Sequence, residues 1–97
     1  MQKKKEIGRI RKIAVPILKR NNVIKAGIFG YYARADQRKK SDIDILVKTS
    51  KGMSLLGFSH LKSELEDALK KKVDLVEYDT IKLPIRSRIL DEEVRLL

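Results

Sequence analysis

The chain has 97 residues, a formal net charge of +10 and no cysteine. This length suffices for one modest hydrophobic core, so we expect residues 1–97 to form a single domain, and the missing cysteines exclude disulfides and thiolate metal sites. The longest apolar run near the N-terminus, residues 13–18, is too short for a secretory signal or a membrane span, so we expect a cytoplasmic protein that does not enter the membrane.

The spacing of apolar residues predicts an alternation of helices and strands. A first helix is expected over residues 6–20, and Pro16 should kink it or divide it near Val15. The other predicted elements, in chain order, are a strand over 23–29 that stops at Gly30, a helical turn and loop over 31–40, a strand over 42–48, a helix over 54–71, a strand over 73–77, a short helix over 83–90 and a last strand over 94–97. This order predicts an α+β fold, with a small mixed sheet of about four strands flanked by helices.

The predicted helix over residues 54–71 has Ser54 as its expected N-cap. Its apolar residues recur at helical spacing and should face the core. They are Leu55, Phe58, Leu61, Leu65, Ala68 and Leu69. In the short helix that follows, Pro84 lies in the first turn, where proline is tolerated.

Two carboxylates open the second predicted strand. Asp42 and Asp44 flank Ile43, and the run continues with the apolar residues 45–47, which is typical of a strand buried on both faces. Residues two apart in a strand point the same way, so both carboxylates lie on one side with their Cα atoms roughly 6.5 Å apart. Two unit charges at that distance repel by about 2.5 kcal/mol at an effective dielectric of about 20. The pair therefore indicates a metal ion or a basic side chain between the carboxylates.

A third carboxylate and a glycine turn can join this pair. Asp74 lies between two apolar residues of the third predicted strand, and Gly30 ends the first strand, where a backbone without a Cβ can approach a phosphate. Three neighbouring carboxylates are tolerated only around metal ions or beside basic side chains. A purely structural alternative therefore pairs these aspartates with Arg34, Arg38 or Lys40.

These residues resemble the signature of the minimal nucleotidyltransferases, the smallest members of the DNA polymerase β-like superfamily. That signature is Gly-Ser, ten residues, Asp-x-Asp and, on a later strand, an aspartate between hydrophobic residues. Here Gly30 and Tyr31 stand at the Gly-Ser position, ten residues separate Tyr31 from Asp42, and Asp74 lies on the later strand. The resemblance spans nearly the whole chain and implies the polymerase β-like nucleotidyltransferase fold.

The resemblance also implies a role for each site residue. The implied catalytic residues, which are also the implied ligands of a two-metal Mg²⁺ site, are Asp42, Asp44 and Asp74. The implied nucleotide-binding residues are Gly30, Tyr31 and Arg34, with the turn at Gly30 donating to the β- and γ-phosphates. Oxygen ligands without a nearby His or Cys favour Mg²⁺ over zinc.

The implied reaction transfers a nucleoside monophosphate, AMP from ATP, to a hydroxyl of a partner protein and releases pyrophosphate. Small members of the family are paired with a helical HEPN-type partner in toxin–antitoxin modules, so such a partner is expected here, and homo-oligomers are a further option. The family's serine is Tyr31 in this chain and the later turn glycine is Ala35. A second interpretation is therefore a catalytically impaired antitoxin that acts by binding its partner.

Most of the positive charge lies in the first part of the chain. Residues 1–41 hold 13 Lys and Arg against Glu6 and Asp36, a balance of +11, whereas residues 42–97 have a balance of −1. Such a basic segment favours polyanionic partners, although a solvated lysine-rich surface is the plainer interpretation. A basic nucleic-acid-binding domain is therefore the third interpretation, less favoured than the first two.

Overall fold

Helices and strands alternate along the chain in the computed structural model, which describes residues 2–97. The elements are α1 (Gln2–Arg20), β1 (Val23–Phe29), α2 (Gly30–Ala33), β2 (Ile43–Thr49), α3 (Leu55–Leu69), β3 (Val73–Glu77), a 3₁₀ turn (Tyr78–Thr80), α4 (Leu83–Glu92) and β4 (Val94–Arg95). The predicted bounds of β1 and β3 are confirmed, and β2 lies one residue later than predicted. None of the helices within residues 2–97 combines the length and the apolar character that crossing a membrane requires.

The first helix differs from its prediction in two respects. It begins at Gln2 rather than at residue 6, and it runs through Pro16 without interruption, so the predicted division near Val15 was wrong. Proline removes one backbone hydrogen bond from a helix. Here the next two residues, Ile17 and Leu18, are buried in the core, and their packing keeps the last turn helical despite the missing bond.

The ends of α3 follow from its capping residues. Ser54 is the N-cap as predicted, and its Oγ accepts a hydrogen bond of 3.0 Å from the Gly57 amide. The helix stops at Leu69, two residues before its predicted end, because Lys70 adopts the left-handed conformation with φ at 59°. Leu55, expected in the buried stripe, is 89% exposed, so that part of the prediction was wrong.

The four strands form one mixed sheet in the order β3-β2-β1-β4. β1 runs antiparallel to both β2 and β4, whereas β2 and β3 are parallel and are joined through α3. β4 is shorter than predicted, although Ala26 also exchanges backbone hydrogen bonds with Leu96 and Leu97. The predicted α+β fold with a mixed sheet flanked by helices is confirmed.

Each face of the sheet has its own apolar cluster. The first face packs against α1 and α3, and its main cluster includes Ile10, Leu18, Ile28, Ile43, Ile45, Leu61, Leu65 and Val73. The second face packs against the 3₁₀ turn and α4, with a smaller cluster of Leu46, Tyr78 and Ile81. Because side chains alternate along a strand, the residues between Ile43, Ile45 and Val47 face this second side.

Candidate functional site

Two aspartates are direct neighbours on adjacent parallel strands. Asp44 of β2 pairs in register with Asp74 of β3, which sets their Cα atoms about 4.8 Å apart. Both lie on the second face of the sheet, because their flanking residues are buried on the first face. Asp42 precedes β2 by one residue and is exposed at the same end of the sheet. The structure therefore brings the three predicted carboxylates to one end of one face.

The three carboxylates are electrostatically unequal. The pKa of Asp44 is raised from its ordinary value of 3.8 to about 6, first because partial burial disfavours its charged form. The negative charges of Asp74 and Asp42 raise this pKa further, whereas the Arg34 cation lowers it. Within residues 6–97, none of the three aspartates lies within 4 Å of a basic side-chain nitrogen. The structural alternative, in which basic side chains pair with these aspartates, is therefore not what the structure contains.

The turn after β1 leaves room for the Asp44 carboxylate. Gly30 has φ at +73°, and a Cβ atom built on it would lie 2.2 Å from Asp44 Oδ2. The antiparallel register pairs Phe29 with Asp44, which brings the end of β1 to this carboxylate. α2 begins at Gly30, so the amides of its first turn are not used as donors within the helix. A glycine here permits both the backbone conformation and the close approach.

An open cavity of about 530 Å³ adjoins these carboxylates. Its lining residues are Tyr31, Arg38, Lys40, Ser41, Asp42 and Asp44. The Arg38 amide donates to Ser41 Oγ at 2.8 Å, and the Ser41 amide donates back to the Arg38 carbonyl at 2.9 Å. These two bonds fix the loop that leads from α2 into the aspartate pair.

The predicted nucleotide-binding residues Tyr31 and Arg34 lie side by side. The Arg34 guanidinium is 5.1 Å from the centre of the Tyr31 ring, a cation–π distance, and Tyr31 is 53% exposed at the cavity wall. Arg34 also pairs with Glu92 of α4 at 3.0 Å and with Asp36 at 3.8 Å. The nucleotide-binding roles of Tyr31 and Arg34 stay predictions.

The predicted metal ligands are suited to Mg²⁺ by their chemistry, because all three offer carboxylate oxygens. After burial, the charges of Asp74 and Asp42 are the next causes of the raised pKa of Asp44, and a bound cation would reverse this repulsion. Within residues 2–97, no three His, Cys, Asp or Glu side chains are drawn close enough together to hold a metal ion as they stand. Asp44 and Asp74 are paired on neighbouring strands, whereas Asp42 lies one residue before the start of β2.

Four residues at or near the site were not predicted as site residues. Arg38, Lys40 and Ser41 line the cavity, and Glu92 holds Arg34. A signal for the first three is in the sequence, since Arg38, Lys39 and Lys40 directly precede Ser41 and the aspartate pair. Glu92 has no such local signal, because it lies 58 positions from Arg34.

The geometry agrees with the comparisons with known proteins. The family model described as polymerase beta, nucleotidyltransferase, matches residues 12–97. A Methanocaldococcus jannaschii protein that is provisionally named a protein adenylyltransferase is 46% identical over 91 residues, which cover 94% of this chain and 98% of that protein. The protein adenylyltransferase MntA of Thermococcus cleftensis is 40% identical over 75 residues, covering 77% of this chain and 76% of its own length.

Solved structures share the fold. A protein provisionally described as a minimal nucleotidyltransferase superposes with a TM-score of 0.81 at 30% identity, over 97% of this chain and 95% of that chain. A chain from the complex of a tri-AMPylated Shewanella oneidensis HEPN toxin with an MNT antitoxin gives a TM-score of 0.72 at 21% identity, over 93% and 71% of the two chains. Since the family match spans residues 12–97 and close relatives carry the names of nucleotide-transferring enzymes, this chain belongs to the polymerase beta nucleotidyltransferase family and is a minimal nucleotidyltransferase.

Proposed function

We propose that this chain transfers AMP from ATP to a hydroxyl of a partner protein in a Mg²⁺-dependent reaction, as the antitoxin of a HEPN/MNT toxin–antitoxin pair. The observation that carries the proposal is the pairing of Asp44 with Asp74 on adjacent strands, beside a glycine turn that leaves room for the Asp44 carboxylate. The names of the two adenylyltransferase relatives support the choice of AMP and of a protein acceptor.

Asp42, Asp44 and Asp74 are the residues that would hold the metal. Bound Mg²⁺ would neutralise charge on the phosphate oxygens and on the carboxylates around it. Asp42 and Asp44 line the cavity and would hold the metal there, because two bare carboxylates repel a polyphosphate. Asp74, which is exposed and lies on the sheet's edge strand β3, is the carboxylate left open to an incoming acceptor.

The transfer step replaces one bond to the α-phosphorus of ATP with another. The acceptor hydroxyl oxygen forms a bond to the α-phosphorus of ATP, the bond from that phosphorus to the bridging oxygen breaks, and pyrophosphate leaves with the bonding electron pair. The hydroxyl proton passes to the Asp74 carboxylate. Amides of the turn at Gly30 donate to the triphosphate, because they are not engaged within the short helix that starts there.

The partner is a helical HEPN-type protein in this proposal. The supporting observation is the shared fold with a chain from a complex between a tri-AMPylated HEPN toxin and an MNT antitoxin. In this proposal the partner supplies the hydroxyl that accepts AMP.

A second candidate function is an antitoxin that binds the same partner without turnover. Tyr31 favours it, because this residue stands where the family has serine, and a phenol cannot take the place of a serine hydroxyl close to the backbone. The ring is half exposed at the cavity wall, beside Arg34.

Transfer of label separates the two functions. The protein is incubated with Mg²⁺, a candidate HEPN-type partner protein and ATP labelled at either the α- or the γ-phosphate. We expect the α-label alone to appear on the partner, and Asp42→Asn to abolish it. Asp67→Asn is the matched control, because it removes an exposed carboxylate on α3, on the opposite face of the sheet. Tight binding without label supports the binding antitoxin.

A further inference from the structure

We propose that Arg38 and Lys40 form a binding subsite for the β- and γ-phosphates of the nucleoside triphosphate. The inference rests on the proposed function and names the residues that would hold the part of the substrate that leaves as pyrophosphate. Arg38 and Lys40 are the two basic residues that line the cavity beside the aspartates.

The two cations have no partner of their own in the described structure. Among residues 6–97, no carboxylate oxygen lies within 4 Å of the Arg38 guanidinium or the Lys40 ammonium. Both side chains are exposed. Most surface lysines and arginines are likewise exposed and unpaired, because water solvates their charge. What distinguishes this pair is that both border one concave site next to two carboxylates.

Hydrogen bonds within the loop and to a neighbouring turn restrain the segment that carries the two cations. The Arg38 amide donates to Ser41 Oγ at 2.8 Å, and the Ser41 amide donates to the Arg38 carbonyl at 2.9 Å. The Lys71 ammonium donates to the Lys39 carbonyl, and the Ile43 amide donates to the Lys72 carbonyl at 3.0 Å, so the segment is also held against the turn before β3. A loop restrained in this way presents its cations at low entropic cost.

Charge balance indicates what the cations bind. Asp42 and Asp44 alone would repel a polyphosphate from the cavity, and Arg38 and Lys40 bring the formal charge of the lining to zero. Arginine's planar fork matches two phosphate oxygens at once, and lysine provides a compact charge for a third. A concave site with two cations suits a compact polyphosphate better than an extended nucleic-acid strand, which requires a basic groove along its length.

The test measures binding rather than turnover. Isothermal titration calorimetry in Mg²⁺ is performed with three probes, ATP, inorganic tripolyphosphate and AMP, on the wild-type protein and on the double variant Arg38→Gln, Lys40→Gln. We expect the Kd of ATP and of tripolyphosphate to rise at least tenfold, because charge-assisted hydrogen bonds are lost, while the Kd of AMP stays unchanged. The control variant Lys51→Gln, Lys62→Gln removes the same charge from two exposed lysines away from the cavity and should leave all three constants unchanged.

Four results would overturn the inference, three of them in the calorimetric comparison itself. Those three are an unchanged ATP affinity in the double variant, an equal loss of affinity in the control variant, and an equal loss of affinity for AMP. Weaker binding of an oligoribonucleotide with unchanged ATP binding would also overturn it, since the cations would then serve nucleic acid. The proposed function fails separately: if tripolyphosphate binding depends on Arg38 and Lys40 but no α-label reaches the partner, the subsite stands and the transfer does not.

Discussion

The Asp44 carboxylate lies where a side chain on residue 30 would begin, since a Cβ atom on Gly30 would be 2.2 Å from Asp44 Oδ2. The turn after β1 and the carboxylate of β2 therefore fix each other's position. Gly30 also has a positive φ of 73°, which L-residues adopt at a cost. Strand, turn and carboxylate form one unit, and a change in the turn should be transmitted directly to the proposed metal ligand.

Gly30→Ala should displace the Asp44 carboxylate and lower stability by about 1–2 kcal/mol, because the new Cβ combines backbone strain with a steric clash. We expect binding of Mg²⁺·ATP, measured by calorimetry, to be lost. Gly52→Ala is the matched control, because Gly52 has φ at +99° but nothing within 4 Å of a Cβ built on it. The control should lose stability through strain alone and bind ATP as the wild type does; equal ATP binding by both variants would contradict the account.

Ala35 holds a conformation that favours glycine, with φ at 61°. Ala35→Gly should raise the free energy of unfolding by about 0.5–1 kcal/mol, because relief of left-handed strain exceeds the added entropy of the unfolded chain. Denaturant unfolding measures the change. Ala68→Gly, inside α3, should instead lose about 1 kcal/mol, and a loss of similar size at position 35 would refute the strain argument.

The raised pKa of Asp44 predicts how stability depends on pH without metal. The folded state retains the proton up to about pH 6, whereas the unfolded chain releases it near 3.8, so Asp44 favours folding most below pH 4 and this contribution is lost as pH rises to about 6. The stability of Asp44→Asn relative to the wild type should therefore increase between pH 4 and 6 and then level off. Chemical denaturation at a series of pH values measures this difference, and a constant difference would contradict the prediction. Mg²⁺ should reduce the pH dependence of the wild type, because it binds the ionised carboxylate.

The Arg34 cation lowers the pKa of Asp44, so removing this cation should raise that pKa. Arg34→Gln should raise this pKa above about 6, measured from the carboxyl carbon shift in an NMR titration of the metal-free protein. Arg88→Gln is the control, because Arg88 also contacts Glu92, at 4.0 Å, but is 81% exposed. A fall in the Asp44 pKa, or the same rise in both variants, would contradict the proposed arrangement.

Local patterns in the sequence predicted the parts of the fold that depend on local chemistry. The bounds of β1 and β3, the cap at Ser54 and the pairing of an Asp-x-Asp strand with a third aspartate all follow from alternation, capping and motif spacing. The course of α1 through Pro16 does not, because core packing of the following turn outweighs the missing hydrogen bond. Helical periodicity likewise assigns Leu55 to the buried side of α3, but this first residue of the helix is 89% exposed.

Such local patterns could not predict contacts between residues that are far apart in the sequence. The Tyr78 hydroxyl donates to Glu93, whose side chain fills the space above Gly27, and Lys25 lies 4.6 Å from the Tyr78 ring centre. These groups come from β1, the 3₁₀ turn and the end of α4 and meet only once the second face is covered. The pairing of Glu92 with Arg34 arises in the same way, and it depends on where α4 crosses the sheet.

AMP transfer by the Asp44–Asp74 pair is tested by measuring the intact mass of the partner protein after incubation with this chain, ATP and Mg²⁺. We expect a gain of one or more AMP groups on the partner, and no gain when the chain carries Asp44→Asn or Asp74→Asn. An unchanged partner mass in a stable complex with the wild-type chain would contradict AMP transfer. A gain that persists in both aspartate variants would contradict the assignment of the Asp44–Asp74 pair as its active site.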